Sequence, residues 1–192
     1  MDSDRIRDSV ASTVAVLEAV RKDLAPVVAE VAQVLVRRVA AGGKVLTCGN
    51  GGSAADAQHV ATELTVRYLR DRKAIPAIAL TVDTSTLTAA ANDLGFEFVF
   101  ARQVEAIGTA GDVLLAISTS GTSANVLRAV EAARAKDIVT IGLTGESGGR
   151  LAEIADHCIR VPSRHTPRIQ EAHLVIEHLL CEALEDAADG AS

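Results

Sequence analysis

The sequence predicts an α/β fold, a three-layer sandwich with a five-stranded parallel sheet, preceded by two N-terminal helices. Up to about Gly43, apolar residues recur at helical spacings of three and four, and after it short apolar runs alternate with helical stretches. Strands that are apolar throughout are typical of parallel sheets covered by helices on both faces. The 192 residues fit a single domain at roughly 100–200 residues per domain. We therefore expect one domain over 1–192, with a helical extension at 1–41 and an α/β core at 42–188.

The two leading helices are predicted from their apolar stripes and from the residues that end them. The stripe of the first helix consists of Val10, Val14, Leu17, Val20 and Leu24. Pro26 lies where a second helix can begin, and Gly42 with Gly43 is typical of a helix end.

Five apolar runs are the predicted strands, and helices are predicted between most of them. The strands are 44–48, 77–81, 113–118, 138–143 and 158–161. The helices are 54–68, 85–93 with 96–106, 124–136 and, last, 168–185. Ligands of such folds bind beyond the carboxyl ends of the strands, which directs attention to the turns at 49–53, 118–123 and 144–149.

Composition excludes several classes of function. Aromatic residues make up 2% of the chain and the formal net charge is −6, which argues against base stacking and against binding of a nucleic-acid backbone. No apolar run approaches the roughly 18 residues of a membrane span, and residues 1–8 alternate acidic residues and arginine without the apolar core of a signal sequence. Three cysteines, Cys48, Cys158 and Cys181, form no CxxC pair and indicate reduced thiols. We expect a cytoplasmic protein that binds neither nucleic acid nor membranes.

The turn at 118–123, Ser-Thr-Ser-Gly-Thr-Ser, is a candidate phosphate site. It carries five hydroxyls in six residues and leads directly into a predicted helix, whose N-terminus offers free N–H groups and partial positive charge. The alternative is an ordinary serine-rich helix cap. Since no Gly-Lys-Ser/Thr follows, nucleotide hydrolysis is not indicated.

The turn at 49–53, Gly-Asn-Gly-Gly-Ser, also follows a strand and opens a helix. Three glycines in five residues indicate unusual backbone angles or the close approach of another group. The spacing is not that of a dinucleotide site. A structural turn and a substrate contact both remain open from these residues alone.

Two helices carry candidate metal-binding or acid–base side chains. Asp56, His59 and Glu63 share one stripe of the helix after the glycine-rich turn, where His and Glu four residues apart can bind one divalent metal or form a simple ion pair. The last helix offers Arg168, Gln170, Glu171, His173, Glu177 and His178. Helical spacing alone does not choose among His173, Glu177 and His178, since His178 lies about 80° from Gln170 around the helix.

Four separate segments resemble phosphoheptose isomerases, the sedoheptulose 7-phosphate isomerases of the sugar isomerase (SIS) domain superfamily. They are CGNGGSAADAQH…E at 48–63, AND at 91–93, GDVLLAISTSGTSANV at 111–126 and RIQEAH…H at 168–178. The likeness covers nearly the whole chain and keeps the order of the motifs. It implies a flavodoxin-like SIS domain that interconverts D-sedoheptulose 7-phosphate and D-glycero-D-manno-heptose 7-phosphate in heptose biosynthesis.

The resemblance also implies roles for individual residues. The phosphate-binding positions are Ser118, Thr119, Ser120 and Ser123, and the further substrate-binding positions are Asn50, Gly51, Gly52, Asn92, Asp93 and Gln170. One Zn²⁺ per subunit is expected on His59, Glu63, Gln170 and His178. The implied acid–base pair is Glu63 and His178, so both residues belong to the zinc-binding set and to the catalytic pair. A homotetramer with active sites at subunit interfaces is implied as well.

The main alternative is a non-catalytic SIS-domain regulator that binds a sugar phosphate or the replication initiator protein. Regulators of this kind resemble the isomerases but lack the acidic residue at the position of Glu63 and the histidine at that of His178, and both are present here. Pro167 and Val66 depart from residues found in many of the isomerases. These departures bear on how the substrate is positioned, and the class of reaction is unaffected.

Overall fold

The computed structural model describes residues 2–189 and contains one parallel sheet with the strand order β2-β1-β3-β4-β5. The strands are β1 Val45–Gly49, β2 Ala77–Ala79, β3 Val113–Ile117, β4 Val139–Thr144 and β5 His157–Arg160. The helices are α1 Ser3–Ala19, α2 Ala25–Ala40, α3 Gly52–Thr65, α4 Thr84–Asp93, α5 Ala101–Ile107, α6 Ala124–Arg134, α7 Leu151–Ile154 and α8 Thr166–Asp189. A 3₁₀ turn lies at Phe96–Phe98. The predicted α/β class and the five parallel strands are confirmed.

The N-terminal region consists of two helices, as predicted, joined by a π-helical turn at Val20–Leu24. The side chain of Asp2 accepts a hydrogen bond from the N–H of Arg5 and so caps α1. Pro26 lies in the first turn of α2, where a missing N–H costs nothing. Gly42, with a φ of +94°, ends α2 by donating its N–H to the carbonyl of Val39.

Helices cover the sheet on both faces, which makes three layers. Alternate side chains of each strand point to opposite faces. On one face Val45, Leu115 and Ile141 pack in a core formed with α2, α3 and α8. On the other face Leu46 and Leu114 pack with residues of α4 to α7.

The ends of β2 and α3 differ from the sequence prediction for physical reasons. Strand β2 ends at Ala79, not at residue 81, because it is an edge strand that pairs with β1 over three residues only. Helix α3 ends at Thr65, not at residue 68, because Arg72 takes up the carbonyls of Glu63 and Leu64. The four residues of α7 were not predicted as a helix, since so short a helix shows no periodicity.

The helices were compared with what a membrane span requires. Among residues 2–189, no helix combines the length and the apolar character needed to cross a membrane.

Candidate functional site

The candidate site lies at the carboxyl ends of β1 and β3, where the strand order changes direction. The two strands are in register from Val45 with Val113 to Gly49 with Ile117, so the turns that follow them begin at the same level. The side-chain amides of Asn50 and Asn125 join these turns by two reciprocal hydrogen bonds of 2.8 Å. A crevice at such a switch point is the usual ligand site of an open α/β sheet.

The serine-rich turn presents its hydroxyls at the N-terminus of α6. Ser123 precedes the helix and pairs its Oγ with the Oγ of Ser118 at 3.0 Å. Ser120 is exposed, and its Oγ accepts from the N–H and the hydroxyl of Thr122 at 3.2 and 3.0 Å. Hydroxyls beside free helix N–H groups can bind a phosphate without a lysine or arginine in the turn.

The glycine in this turn is required by its surroundings. Gly121 has a φ of +67°, and a Cβ there would lie 2.0 Å from the carbonyl oxygen of Gly148. The N–H of Leu151, at the start of α7, bonds to the carbonyl of Gly121 at 2.9 Å. The turn after β4 therefore supports the serine-rich turn from behind.

The glycine-rich turn is in direct contact with α8. A Cβ at Gly52 would lie 2.2 Å from the Nε2 of Gln170, so the side chain of Gln170 reaches the turn only because Gly52 has none. Gly51 and Gly52 are both exposed. The sequence left open whether these glycines are needed for the backbone angles of the turn or for the close approach of another group. At Gly52 the structure shows a close approach, by the side chain of Gln170.

Three predicted site residues from α3 and α8 come together. The Nε2 atoms of His59 and His178 are 2.8 Å apart, and the Nδ1 of His59 is 3.7 Å from Glu63 Oε1. The two imidazole rings meet edge to face with centroids 5.1 Å apart. Asn92 and Asp93 are not part of this group; they are exposed at the end of α4, and the amide of Asn92 donates to Asp93 at 2.7 Å.

The metal-binding capacity of the described residues rests on these imidazoles. Within residues 2–189, no three His, Cys, Asp or Glu side chains are close enough together to form a ready metal site. Zinc bonds to imidazole nitrogens at ~2.0–2.1 Å in a tetrahedral arrangement, so two such nitrogens lie about 3.3 Å apart on one ion. The observed 2.8 Å differs from that by about 0.5 Å. Imidazole and carboxylate groups are both donor types that zinc accepts.

The structure distinguishes His173, Glu177 and His178 on α8, among which helical spacing alone could not choose. His173 is buried and its Nε2 donates to the carbonyl of Thr144 at 3.1 Å; burial lowers the pKa of His173 to about 4, so the ring is neutral. Glu177 is also buried, and burial, followed by the nearby Asp56, raises its pKa to about 8. Of the three, His178 is the one whose ring contacts His59 of α3.

Sequence reasoning missed three side chains near the site. Asn125 is 3% exposed and holds Asn50; its signal was a polar residue at an apolar position of α6. Tyr68, the one tyrosine of the chain, has its ring 5.5 Å from that of His178. Glu185 is completely buried on α8 and accepts hydrogen bonds from the backbone after α3, a contact with no local sequence signal.

The chain is similar to known proteins over nearly its whole length. The SIS domain family matches residues 10–145. The phosphoheptose isomerase of Rhodospirillum rubrum is 60% identical over 165 residues, which are 86% of this chain and 88% of that protein. The solved phosphoheptose isomerase of Francisella tularensis has a TM-score of 0.93 at 42% identity, covering 97% of this chain and 100% of that one. That of Neisseria gonorrhoeae has a TM-score of 0.90 at 43% identity, covering 95% and 98%.

Proposed function

The chain belongs to the phosphoheptose isomerase family of SIS-domain proteins, and from this membership we propose which residues carry out its reaction. It is an aldose–ketose isomerase that converts D-sedoheptulose 7-phosphate to D-glycero-D-manno-heptose 7-phosphate in heptose biosynthesis. The observation that supports the proposed residues best is the meeting of His59, Glu63 and His178 between α3 and α8.

Glu63 and His178 are the proposed acid–base pair. The reaction moves one proton from C1 to C2 through an enediol and another between the oxygens of these two carbons. A carboxylate such as Glu63 can take the carbon-bound proton, and an imidazole such as His178 can exchange the oxygen-bound proton near neutral pH. Each positioned group of this kind contributes roughly 10²–10⁴ in rate.

The phosphate of the substrate is proposed to bind the serine-rich turn through Ser118, Thr119, Ser120 and Ser123. The N-terminus of α6 adds free N–H groups and a partial positive charge there. The sugar is proposed to contact Asn50, Gly51, Gly52 and Gln170. Of these, Gly52 and Gln170 are in direct contact. Asn92 and Asp93 remain proposed contacts from the resemblance.

One Zn²⁺ per subunit is the proposed cofactor, held by His59, Glu63, Gln170 and His178. The donor types support this choice, and so do the imidazoles of His59 and His178, which face each other. When bound, the ion would polarise the sugar carbonyl and lower the energy of the enediol. His59 would then serve as a ligand only, while His178 would also exchange a proton with the oxygens of the substrate.

We further propose a cytoplasmic homotetramer with active sites at subunit interfaces. Support comes from α1, which contains no buried residue and exposes Ile6, Val10 and Val14 on one stripe. On α8, Leu174, Val175 and Leu179 are exposed as well. Apolar stripes of this size are typical of helices that pack against another copy. The reduced state of the three free cysteines is in keeping with the cytoplasm.

Proton NMR of the purified protein with D-sedoheptulose 7-phosphate and Zn²⁺ in D₂O tests the proposed function. The aldoheptose phosphate is expected to form with deuterium at C2, because the proton lost from C1 exchanges with solvent at the base. Conversion without label at C2 would argue against a solvent-exchanging base. A protein that binds the sugar phosphate but does not convert it would support the regulator instead.

Replacing Ser120 by Ala is expected to raise KM about tenfold and to leave kcat within about twofold. A hydrogen bond to a charged group contributes about 1.5–3 kcal/mol, and part of it is recovered from water. Steady-state kinetics with the sugar phosphate measures both constants. Ser85→Ala, at an exposed position of α4, is the matched control. An unchanged KM in Ser120→Ala would count against phosphate binding at this turn.

A further inference from the structure

A buried carboxylate on α8 holds the chain segment that follows α3. Glu185 lies seven residues beyond His178 and is completely buried. Its Oε1 and Oε2 accept hydrogen bonds of 3.0–3.2 Å from the backbone N–H groups of Tyr68, Leu69 and Arg70. Although burial raises the pKa of Glu185, these hydrogen bonds and the nearby Arg72 keep it below its ordinary value. The group is therefore an ionised carboxylate that fixes three consecutive peptide units.

The guanidinium of Arg72 connects the same carboxylate to the end of α3. The side chain of Arg72 is 1% exposed, and its Nε lies 3.4 Å from Glu185 Oε1. Its Nη2 donates to the carbonyl of Glu63 at 2.7 Å and its Nη1 to the carbonyl of Leu64 at 2.8 Å. These are among the last carbonyls of α3, which have no partner within the helix. One buried ion pair thus links α8 to the peptide unit of Glu63 itself.

The segment between these two anchors brings an aromatic ring to His178. We name residues 66–72 the strap. The ring of Tyr68, within the strap, lies 5.5 Å from that of His178 at an angle of 34°. The ring of His59 lies 5.1 Å away at 68°. The imidazole of His178 is therefore bordered by one ring from α3 and one ring from the strap.

We propose that the strap is a positioning element of the isomerase, in which Glu185 and Arg72 fix Tyr68 against His178 and fix the end of α3 that carries Glu63. This inference rests on the proposed function of Glu63 and His178. Tyr68, Arg72 and Glu185 act through those two residues, so each is a positioning residue. A displacement of about 1 Å in a catalytic group can cost on the order of 10²-fold in rate, which is why such a link affects turnover.

The substitutions at Tyr68 separate positioning from general stability. Tyr68→Leu removes the ring, and we expect kcat to fall about tenfold while KM for the sugar phosphate stays within about twofold. Tyr68→Phe keeps the ring and is expected to retain at least about half of the wild-type kcat, since it is the ring that borders His178. Arg72→Gln should also lower kcat, because the carbonyl of Glu63 loses the donor from Arg72, while that of Leu64 keeps the N–H of Ile75. Arg102→Gln, at an exposed ion pair with Glu105 on α5, is the matched control for that change.

The measurements are kcat and KM for D-sedoheptulose 7-phosphate, and the Kd for inorganic phosphate, in wild type and variants. The expected result is a loss confined to kcat in Tyr68→Leu, recovered in Tyr68→Phe, with phosphate affinity unchanged in both. Three results would contradict a positioning role for the strap. They are a wild-type kcat in Tyr68→Leu, equal losses of kcat in Tyr68→Leu and Tyr68→Phe, and a loss of phosphate binding that accompanies the loss of kcat. An inactive wild type would instead overturn the proposed function, and the strap with it.

Discussion

Replacing Glu63 by Gln is expected to lower kcat by about 10²–10⁴ while the fold and phosphate binding stay intact. Glutamine has nearly the same shape as glutamate but cannot accept the proton from C1. The side chain of Glu63 is 18% exposed and lies 3.7 Å from the Nδ1 of His59, so the change leaves no cavity and no buried unpaired charge. Arg72 binds the backbone carbonyl of Glu63, not its carboxylate, and this contact survives the substitution.

Kinetics at saturating Zn²⁺ distinguish a base from a metal ligand. A loss of kcat that persists at saturating metal fits the role of a base, and the deuterium label at C2 should disappear with turnover. Glu131→Gln, which removes the partner of Arg128 in an exposed ion pair on α6, should leave kcat unchanged. If Glu63→Gln regained wild-type turnover with added Zn²⁺, Glu63 would be a ligand and the base would be another group.

Most of the fold was predictable because its signals are local. Buried parallel strands read as apolar runs, and the helices of a sandwich carry a period of 3.6 residues. Pro26 and Gly42 mark the start and end of α2. Proline is tolerated in the first turn of a helix, and glycine readily adopts the positive φ that ends one. The end of strand β2 was wrong because it depends on the pairing with a neighbouring strand, and helix α7 was not predicted because one short turn shows no periodicity.

The candidate site was predictable in its parts but not in its geometry. The two turns and the helix with His59 and Glu63 were found from residue types and spacing. The choice of His178 over Glu177 rested on the family resemblance, since adjacent residues of a helix differ by about 100° and the packing of α8 sets which one reaches His59. Arg72 and Glu185 were not found at all. Their contact joins residues 113 positions apart, and such contacts leave no period in the sequence.

Replacing Gly121 by Ala is expected to lower the free energy of unfolding by about 2–6 kcal/mol and to abolish phosphate binding at the serine-rich turn. A residue with a side chain is strained at a φ of +67°, which costs about 1–3 kcal/mol. The new methyl would also meet the carbonyl oxygen of Gly148 at 2.0 Å. Because that atom belongs to the backbone, one of the two turns must move, at a further cost of about 1–3 kcal/mol.

A glycine with the same sign of φ but open space around it separates the two effects. Gly111 has a φ of +96°, and a Cβ there would have no atom within 4 Å. Gly111→Ala should therefore show only the backbone strain of about 1–3 kcal/mol and should bind inorganic phosphate like wild type. Urea unfolding at one fixed protein concentration measures the stabilities, since the proposed oligomer would unfold in a concentration-dependent way. Equal losses in the two variants would mean that the contact with Gly148 is relieved at no cost. Phosphate binding retained by Gly121→Ala would mean that the serine-rich turn tolerates a shift and does not need the support of the turn after β4.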